Sequence, residues 1–242
     1  MESVHRALVL LKTIIDHGSL GVTEAAALLD VNASTAQRLL ATLVHDGFAV
    51  QSPDRRYSAG PALTSPGLST RIPQLTDRLR PALEALFDRS GETVHLAALH
   101  GTRVLHLDGI EARTHTLRFG LRVGVWLPAH ATAGGKALLA DLTDEEIVQR
   151  YADAAGLPHA RTDIDMPALL EDLAEVRTTR IASNLAESEP GIAALATSIG
   201  EVGGHRIGLS IALPIARYTR DDADRWAQDL REVAEAVRSR QR

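Results

Sequence analysis

Four polar residues close together, Ser34, Thr35, Gln37 and Arg38, have side chains that could bond to the edges of DNA bases. They lie at the start of a predicted helix, on its outward side. In a helix-turn-helix, the first residues of the second helix enter the major groove and contact the bases. A helix face that is merely solvated would have the same composition, so the interpretation depends on the elements around these residues.

The surrounding stretch, residues 22–47, reads as two helices joined by a tight turn. Thr23 is a suitable N-cap for the first helix, and Asn32 for the second. Asp30 lies in the turn, where a left-handed residue is usually required and where Asp is better tolerated than most side chains. Helical spacing then relates the apolar residues of the second helix, Ala36, Leu39, Leu40, Leu43 and Val44, and Gly47 ends it. This pattern predicts a helix-turn-helix.

Two further elements complete a winged helix. Helical spacing of Val4, Leu8, Leu11 and Ile15 predicts a helix over residues 3–17 that packs in the same core. Two short β-prone runs on either side of Pro53-Asp54 predict a hairpin that carries Arg55 and Arg56. These arginines could reach the DNA backbone; the alternative is an ordinary solvated turn.

The pattern then predicts a boundary and a second domain. We expect a DNA-binding domain over residues 1–60, a linker over 61–73 that is rich in small residues and proline, and a second domain over 74–242. A short connecting helix is predicted near residues 62–71 and another over 75–90, in which Pro81 kinks or restarts the helix. Strands are predicted at 93–99, 103–108, 116–119, 192–199 and 206–214, and helices at 133–142, 144–155, 167–177 and 221–238. The fold class is therefore α+β, with a central antiparallel sheet flanked by helices.

The composition limits the function without suggesting DNA. The 242-residue chain carries a formal net charge of −5, and residues 1–61 contain five Lys and Arg against six Asp and Glu. A nucleic-acid binder is normally basic, so DNA binding would depend on a few well-placed cations, which a dimer would double. The absence of cysteine excludes disulfides and thiolate chemistry. No predicted membrane span or leader sequence is recognisable, and we expect a cytoplasmic protein without a cofactor.

Other chemistry receives little support. The segment HATAGGKA lacks the glycine and the hydroxyl residue that a phosphate-binding loop requires, and we interpret Lys136 as a helix-surface or dimer-contact residue. His95, His100 and His106 lie near two strands, and His95 and His106 could share a face. No carboxylates complete a metal-binding set, so structural or surface histidines are the better interpretation. No catalytic triad or carboxylate pair is recognisable.

Four segments together resemble the IclR-type transcriptional regulators: SVHRALVLL, NASTAQRLLATLVHDGF with RRYSAGPAL, GVWLPAHATAGGKALLA and ESEPGI. The resemblance covers about residues 3–239. It implies a winged helix, a linker helix and an effector-binding domain, assembled as dimers or dimers of dimers that regulate catabolic genes in response to small organic acids.

The resemblance also implies an effector pocket lined by three segments. The expected residues are Thr116, Phe119, Leu127, Ala133 and Gly134, then Asn184, Ile192 and Ala194, then Ser210 and Ala212. Apart from the resemblance, His130 could also face an acidic ligand. Backbone N–H groups at Ala133-Gly134-Gly135, which we take to precede a helix, could hold a carboxylate. Ser210 and Asn184 could add hydrogen bonds, and Phe119, Leu127 and Ile192 would form an apolar wall.

Three residues depart from the family pattern. Ala194 stands where a cysteine is frequent, and Ala212 where a small polar residue is frequent. Both changes enlarge the pocket and make it less polar, so we expect an effector larger or more apolar than a two- or three-carbon keto acid, such as an aromatic carboxylate. Arg180 replaces a common glycine and suggests a different helix ending.

We therefore predict a regulator, not an enzyme, that binds double-stranded operator DNA as a homodimer or a dimer of dimers. Its operator affinity is controlled by a small organic acid, with Ser34, Thr35, Gln37 and Arg38 reading bases and Arg55 and Arg56 on the backbone. Two alternatives stay open: a small-molecule enzyme with a vestigial winged helix, for which only His130 and Ser210 could supply chemistry, and a DNA-binding protein that oligomerises without an effector.

Overall fold

The computed structural model describes residues 2–52, 54–64, 66–113, 115–154 and 164–240. These residues fall into two compact units, one up to Ile72 and the other from Pro73 onwards. No helix among the described residues is both long and apolar enough to cross a membrane. Each unit is considered by itself.

The first unit is a winged helix-turn-helix. Its elements are α1 (Glu2–His17), β1 (Ser19–Leu20), α2 (Val22–Leu29), α3 (Ala33–His45), β2 (Ala49–Gln51), β3 (Tyr57–Ala59) and α4 (Pro61–Thr64). The three strands form an antiparallel sheet of order β1-β3-β2. The long helix α5 (Pro66–Ser90) comes next and contains the boundary between the units.

The turn between α2 and α3 has the predicted geometry, with one correction at its start. Asp30 is left-handed with φ 50°, and the Asn32 carboxamide oxygen accepts a hydrogen bond of 2.8 Å from the N–H of Thr35. Both predictions are confirmed. Thr23, however, is not the N-cap of α2. The cap is Gly21, whose N–H donates to the Glu24 carboxylate at 2.9 Å, because the helix begins two residues earlier than the capping preference suggested.

The predicted inner face of α1 was wrong for three of its four residues; Leu11 does pack against the core. Leu10 and Ile14 are fully buried and pack with Leu40 in the core of this unit. Val4, Leu8 and Ile15, which we expected to face the core, are 65%, 59% and 58% exposed. Helix α1 carries apolar residues on two sides, and helical spacing alone does not determine which side meets the rest of the domain.

The second unit is built on a six-stranded antiparallel sheet of order β6-β5-β4-β9-β8-β7. Its strands are β4 (Thr93–His100), β5 (Arg103–Ile110), β6 (Trp126–Pro128), β7 (Ala182–Leu185), β8 (Ile192–Val202) and β9 (His205–Pro214). Its further helices are α6 (Ala133–Leu139), α7 (Asp144–Ala154), α8 (Met166–Thr179) and α9 (Arg220–Ser239). The α+β fold is confirmed.

Residues 116–119 do not form the predicted third strand. Their backbone is held by side chains: Thr93 donates its hydroxyl hydrogen to the carbonyl of Phe119 at 2.5 Å, and Arg217 donates to the carbonyl of Leu117. The edge of the sheet beside β5 is instead formed by β6, further along the chain. The sequence of four residues was too short to show whether a strand partner is present.

Two further predictions about helices need correction, one at the linker and one at the end of α8. The helix predicted around residues 62–71 falls partly on α4 and partly on the start of α5, and α5 continues through Pro81 to include the helix predicted over 75–90. At the end of α8, Arg180 itself adopts the left-handed conformation, with φ 61° and its N–H bonded to the carbonyl of Val176. The helix therefore ends as it would with glycine, and the different ending that we inferred from Arg180 was wrong.

Replacing Arg180 with glycine should stabilise the protein by about 0.5–1 kcal/mol. Glycine adopts the left-handed region without the steric cost of a Cβ, although its greater freedom in the unfolded chain offsets part of the gain. Urea unfolding would measure the difference. Glu175→Gly, at an exposed position inside α8, is the matched control and should cost about 1 kcal/mol. Destabilisation by both variants would contradict the argument.

Candidate functional site

The first turns of α3 present polar side chains on the outside of the first unit. Ser34, Gln37 and Arg38 are exposed and Thr35 is half-buried, while Ala36 lies in the core. The Ser34 hydroxyl donates to the Asn32 carboxamide at 2.8 Å, so it also supports the cap. Among the described residues the Arg38 guanidinium has no acidic partner. The Arg38 guanidinium is therefore available to contact DNA.

The two arginines of the wing have different environments. Arg55 is exposed and left-handed, with φ 63°. The Arg56 guanidinium is bound within the domain: it donates to the Glu24 carboxylate at 2.9 and 3.1 Å and to the Ser19 hydroxyl at 2.9 Å. This ion pair lowers the pKa of Glu24. Arg56 thus attaches the wing to α2, and Arg55 is the wing arginine left to face outward.

Several of the residues expected to bind an effector share one face of the large sheet. Ser210 on β9 lies opposite Ala196 on β8, and two residues further along Ala212 lies opposite Ala194. Ala194 in turn lies opposite Asn184 on β7. Residues that are directly opposite in an antiparallel pair, or two apart along one strand, project to the same side. The register brings these four predicted residues together.

The other predicted residues lie around this face with different exposure. Leu127 and Ala133 pack in the same hydrophobic cluster as Ala194. Ile192 starts β8 opposite Pro214. Phe119 and Gly134 are half-buried, whereas Thr116 is exposed. His130 lies half-buried in the short turn before α6, with its ring 6.0 Å from that of Tyr151.

Asn184 is already fully engaged as a donor. Its amide donates to the carbonyl of Ala131 and to the Ser188 hydroxyl at 3.1 Å. Its oxygen accepts from the N–H of Glu187 at 3.1 Å. Both amide hydrogens therefore tie the β7–β8 connection to the turn before α6. Asn184 therefore positions the backbone around the predicted site, and its amide hydrogens are already bonded within the protein.

The start of α6 differs from the prediction in detail. Gly134 and Gly135 do not precede the helix but form its first turn, with Thr132 as the N-cap. The Thr132 hydroxyl accepts from the N–H of Gly135 at 3.0 Å. Gly135 lies directly against the backbone of Ala129: a Cβ at this position would be 2.1 Å from the Ala129 carbonyl oxygen. The turn that contains His130 and α6 are thus held in close contact.

Lys136 is not a helix-surface residue, contrary to the prediction. It is 2% exposed, and its ammonium group pairs with Asp172 on α8 at 2.8 Å and with Glu187 at 2.9 Å. A charged group this deeply buried is stable only when it is paired. Through these two ion pairs Lys136 links α6 to α8 and to the β7–β8 connection.

Two histidines adjoin the predicted site and were not assigned to it. His95 on β4 is 1% exposed and His106 on β5 is 9% exposed. Their ring centroids are 5.0 Å apart, and the His95 ring is 5.8 Å from that of Phe119. The sequence suggested that they could share a face, and they were interpreted as structural or surface histidines. Within the described residues no three His, Cys, Asp or Glu side chains converge as a metal site.

Burial keeps both imidazoles uncharged. It lowers the pKa of His95 to about 3 and that of His106 to about 4. An exposed histidine in the unfolded chain titrates near pH 6.5. Below that pH the unfolded chain therefore binds more protons than the folded chain does, and folding becomes less favourable as the pH falls.

The free energy of unfolding should accordingly decrease between about pH 6.5 and about pH 4, by roughly 1.4 kcal/mol per pH unit for each histidine. Urea unfolding near pH 7 and near pH 5 would measure this loss. A His106→Leu variant should lose markedly less over the same interval, since one of the two groups is gone. Equal losses in the two proteins would contradict the assignment.

Comparison with known proteins shows similarity along most of the chain. The family model described as "Bacterial transcriptional regulator IclR C-terminal" matches residues 70–239, and the IclR helix-turn-helix domain matches residues 3–53. The regulator BhcR of Paracoccus denitrificans is 33% identical over 231 residues, which cover 90% of this chain and 80% of that protein. The transcriptional repressor IclR of Escherichia coli is 32% identical, covering 98% of this chain and 89% of that protein.

A solved structure has the same fold. It is an IclR homologue from Microbacterium hydrocarbonoxydans in complex with 4-hydroxybenzoate, with a TM-score of 0.61 and 23% sequence identity. The superposition covers 98% of each chain.

Proposed function

Because this chain belongs to the IclR family of DNA-binding transcriptional regulators, we propose that it controls catabolic genes and that a small organic acid sets its operator affinity. The observation that carries the proposal is the exposed polar start of α3 beside an outward-facing wing arginine. The proposed site of action is the cytoplasm. The relatives are regulators, and we accordingly propose a regulatory and not a catalytic role.

On the DNA, Ser34, Thr35, Gln37 and Arg38 would meet base edges in the major groove. Arg55 would meet phosphate. Arg56 would contribute to backbone binding mainly by holding the wing in place, since its guanidinium already binds Glu24 and Ser19. With so few cations, each contact matters more than it would in a basic protein.

A homodimer would double these contacts and match a palindromic operator. The exposed apolar residues Val4, Leu8 and Ile15 support a dimer, because they form one continuous side of α1 that lies outside the core of the unit. An exposed apolar patch of this kind is characteristic of protein–protein contacts. Association into a dimer of dimers would be mediated by the second unit.

The effector would lie on the sheet face that carries Asn184, Ala194, Ser210 and Ala212. The small Ala194 and Ala212 side chains leave room for a ring, and Phe119, Leu127 and Ile192 would supply apolar contacts. The Ser210 hydroxyl, His130 and the first turn of α6 (Ala133, Gly134) would receive the carboxylate. The 4-hydroxybenzoate complex of the Microbacterium homologue supports an aromatic carboxylate as the ligand class.

Control requires that the acid bind one arrangement of the dimer more tightly than the other. A ligand shifts an equilibrium only by its difference in affinity for the two states. Two arrangements with different spacing of their α3 helices would differ in operator affinity, and the effector would select between them.

The experiment that tests the proposal is fluorescence anisotropy of the full-length protein with the DNA upstream of its own gene. Unrelated DNA serves as competitor, and the titration is repeated across a panel of organic acids. Selective binding that weakens steeply with salt is expected, together with a change in affinity caused by at least one acid. Equal, weak binding to both DNA fragments throughout the acid panel would refute it. Selective DNA binding without any effect of the acids would instead favour a regulator that oligomerises without an effector.

A further inference from the structure

His95 occupies the gap between two parts of the proposed effector site. It lies directly opposite Ser210 across the β4–β9 pair, so both side chains project to the same side of the sheet. On its other side its ring contacts Phe119, at 5.8 Å between centroids. An effector that contacts both Phe119 and Ser210 must therefore come close to His95.

His106 extends this polar region by one strand. It lies opposite Ala97 on β4, and Ala97 is on the same side as His95 because the two are separated by one residue. The two imidazoles meet edge to face, with centroids 5.0 Å apart. Both side chains belong to the sheet face that carries the proposed site.

The Nδ1 atom of His106 is buried and has no hydrogen-bond partner among the described residues. A buried polar atom without a partner is rare in native proteins, because it loses its bond to water and gains nothing in return. The residue is 9% exposed, so ordinary solvent does not compensate for the loss. A side chain of this kind needs an explanation beyond packing.

The hydrogen-bonding state of the pair indicates what it can bind. The Nε2 atom of His95 accepts a hydrogen bond of 3.2 Å from the backbone N–H of Arg122. Since His95 is neutral, Nδ1 then carries its hydrogen and is a donor. A neutral His106 has one donor and one acceptor; its ring interacts with the backbone of Val125, and Nδ1 is the ring atom without a partner among the described residues. Two such rings suit a group that donates and accepts at once.

We propose that His95 and His106 form a polar subsite that binds a hydroxyl group of the effector and thereby selects hydroxylated acids over the same acids without that hydroxyl. The proposal rests on the proposed function, in which a small acid binds this face, and assigns to it two residues that determine specificity.

The charges near the pair favour a hydroxyl over a second carboxylate. Arg122, whose charge lowers the pKa of both histidines, stacks over the Phe119 ring at 5.0 Å and is itself paired with Glu189 at 2.5 Å. The positive charge that Arg122 brings near the two neutral rings is therefore compensated by Glu189. A carboxylate placed there would have to bring a proton with it, whereas a hydroxyl needs neither charge nor proton transfer.

Matched acid pairs test the selectivity directly. We would measure the binding of benzoate, 3-hydroxybenzoate and 4-hydroxybenzoate, and of propionate and lactate, to the full-length protein by titration calorimetry. At least one hydroxylated acid should bind about tenfold or more tightly than its partner, which corresponds to one buried hydrogen bond. If acids bind but no hydroxylated member is preferred, the subsite is refuted while the proposed function stands. If no acid binds, the proposed acid effector fails and the subsite fails with it.

A His106→Leu variant separates a ligand-binding role from a structural one. Removing an unpartnered buried polar atom should leave the unliganded protein as stable as before or more stable, since leucine needs no hydrogen bond. The same variant should lose most of the preference for the hydroxylated acid, and its affinity for the unsubstituted acid should change less than threefold. A stability gain combined with a loss of selectivity is not expected of a residue that only packs.

Two further variants keep the test decisive. His95→Gln retains an acceptor for the N–H of Arg122 and should reduce the preference for the hydroxyl without unfolding the protein. His205→Gln, at the start of β9 and opposite Val202, is the matched control and should leave selectivity unchanged. Unaltered selectivity in both His95→Gln and His106→Leu would overturn the proposal, as would an equal loss in His205→Gln.

Discussion

Replacing Arg38 with alanine should reduce operator affinity by roughly 30-fold to 10⁴-fold. A side chain that reads a base contributes about 1–3 kcal/mol, and a dimer loses this contribution twice, about 2–6 kcal/mol in all. Arg38 is exposed at the start of α3 and has no acidic partner among the described residues, so the folded unit should not change. Fluorescence anisotropy with the operator, at fixed salt, measures the loss.

Three companion variants sharpen this test. Arg38→Lys keeps the charge but not the planar fork, and should retain part of the affinity while discriminating less between operator and unrelated DNA. Arg55→Ala should weaken binding to both DNAs and reduce its salt dependence, as expected of a phosphate contact. Arg240→Ala removes the same charge from an exposed position at the end of the second unit and should change little. Wild-type affinity in Arg38→Ala would exclude the assigned role.

Gly135→Ala should have the largest effect on stability. The new Cβ would lie 2.1 Å from the carbonyl oxygen and 2.4 Å from the Cα of Ala129, far inside van der Waals contact. The obstacle is backbone, so no side-chain rotation relieves it, and the turn carrying His130 must separate from α6. Overpacking usually costs about 1–3 kcal/mol, and a clash with backbone belongs above that range. We expect a loss of about 3 kcal/mol or more, a large part of the stability of a typical domain.

Gly134→Ala is the control at the neighbouring position. A Cβ there meets no heavy atom within 4 Å, and alanine favours a helix over glycine, so this variant should be neutral or more stable by up to about 1 kcal/mol. Urea unfolding followed by circular dichroism would compare the three proteins. A Gly135→Ala protein with the midpoint of the wild type would mean that α6 and the preceding turn are not in the contact described.

Only part of the proposed effector site could be predicted from the sequence. The strands β8 and β9 and their turn were predicted from local patterns, whereas the assignment of Ala194 and Ser210 to the site came from the family resemblance. The involvement of His95 depends on the pairing of β4 with β9, between residues more than 100 positions apart. Local patterns contain no information about that register.

The sequence by itself determined the helix-turn-helix, the Asn32 cap, the left-handed Asp30 and the α+β class. These features depend on hydrogen bonds and spacing within a few residues, which the residue types specify. Only the tertiary structure decided which side of α1 faces the core, that Lys136 is buried between two carboxylates, and that Arg56 holds the wing. Each of these depends on which distant groups come into contact. Burial and ion pairing are properties of that contact, whereas periodicity and capping are properties of the chain.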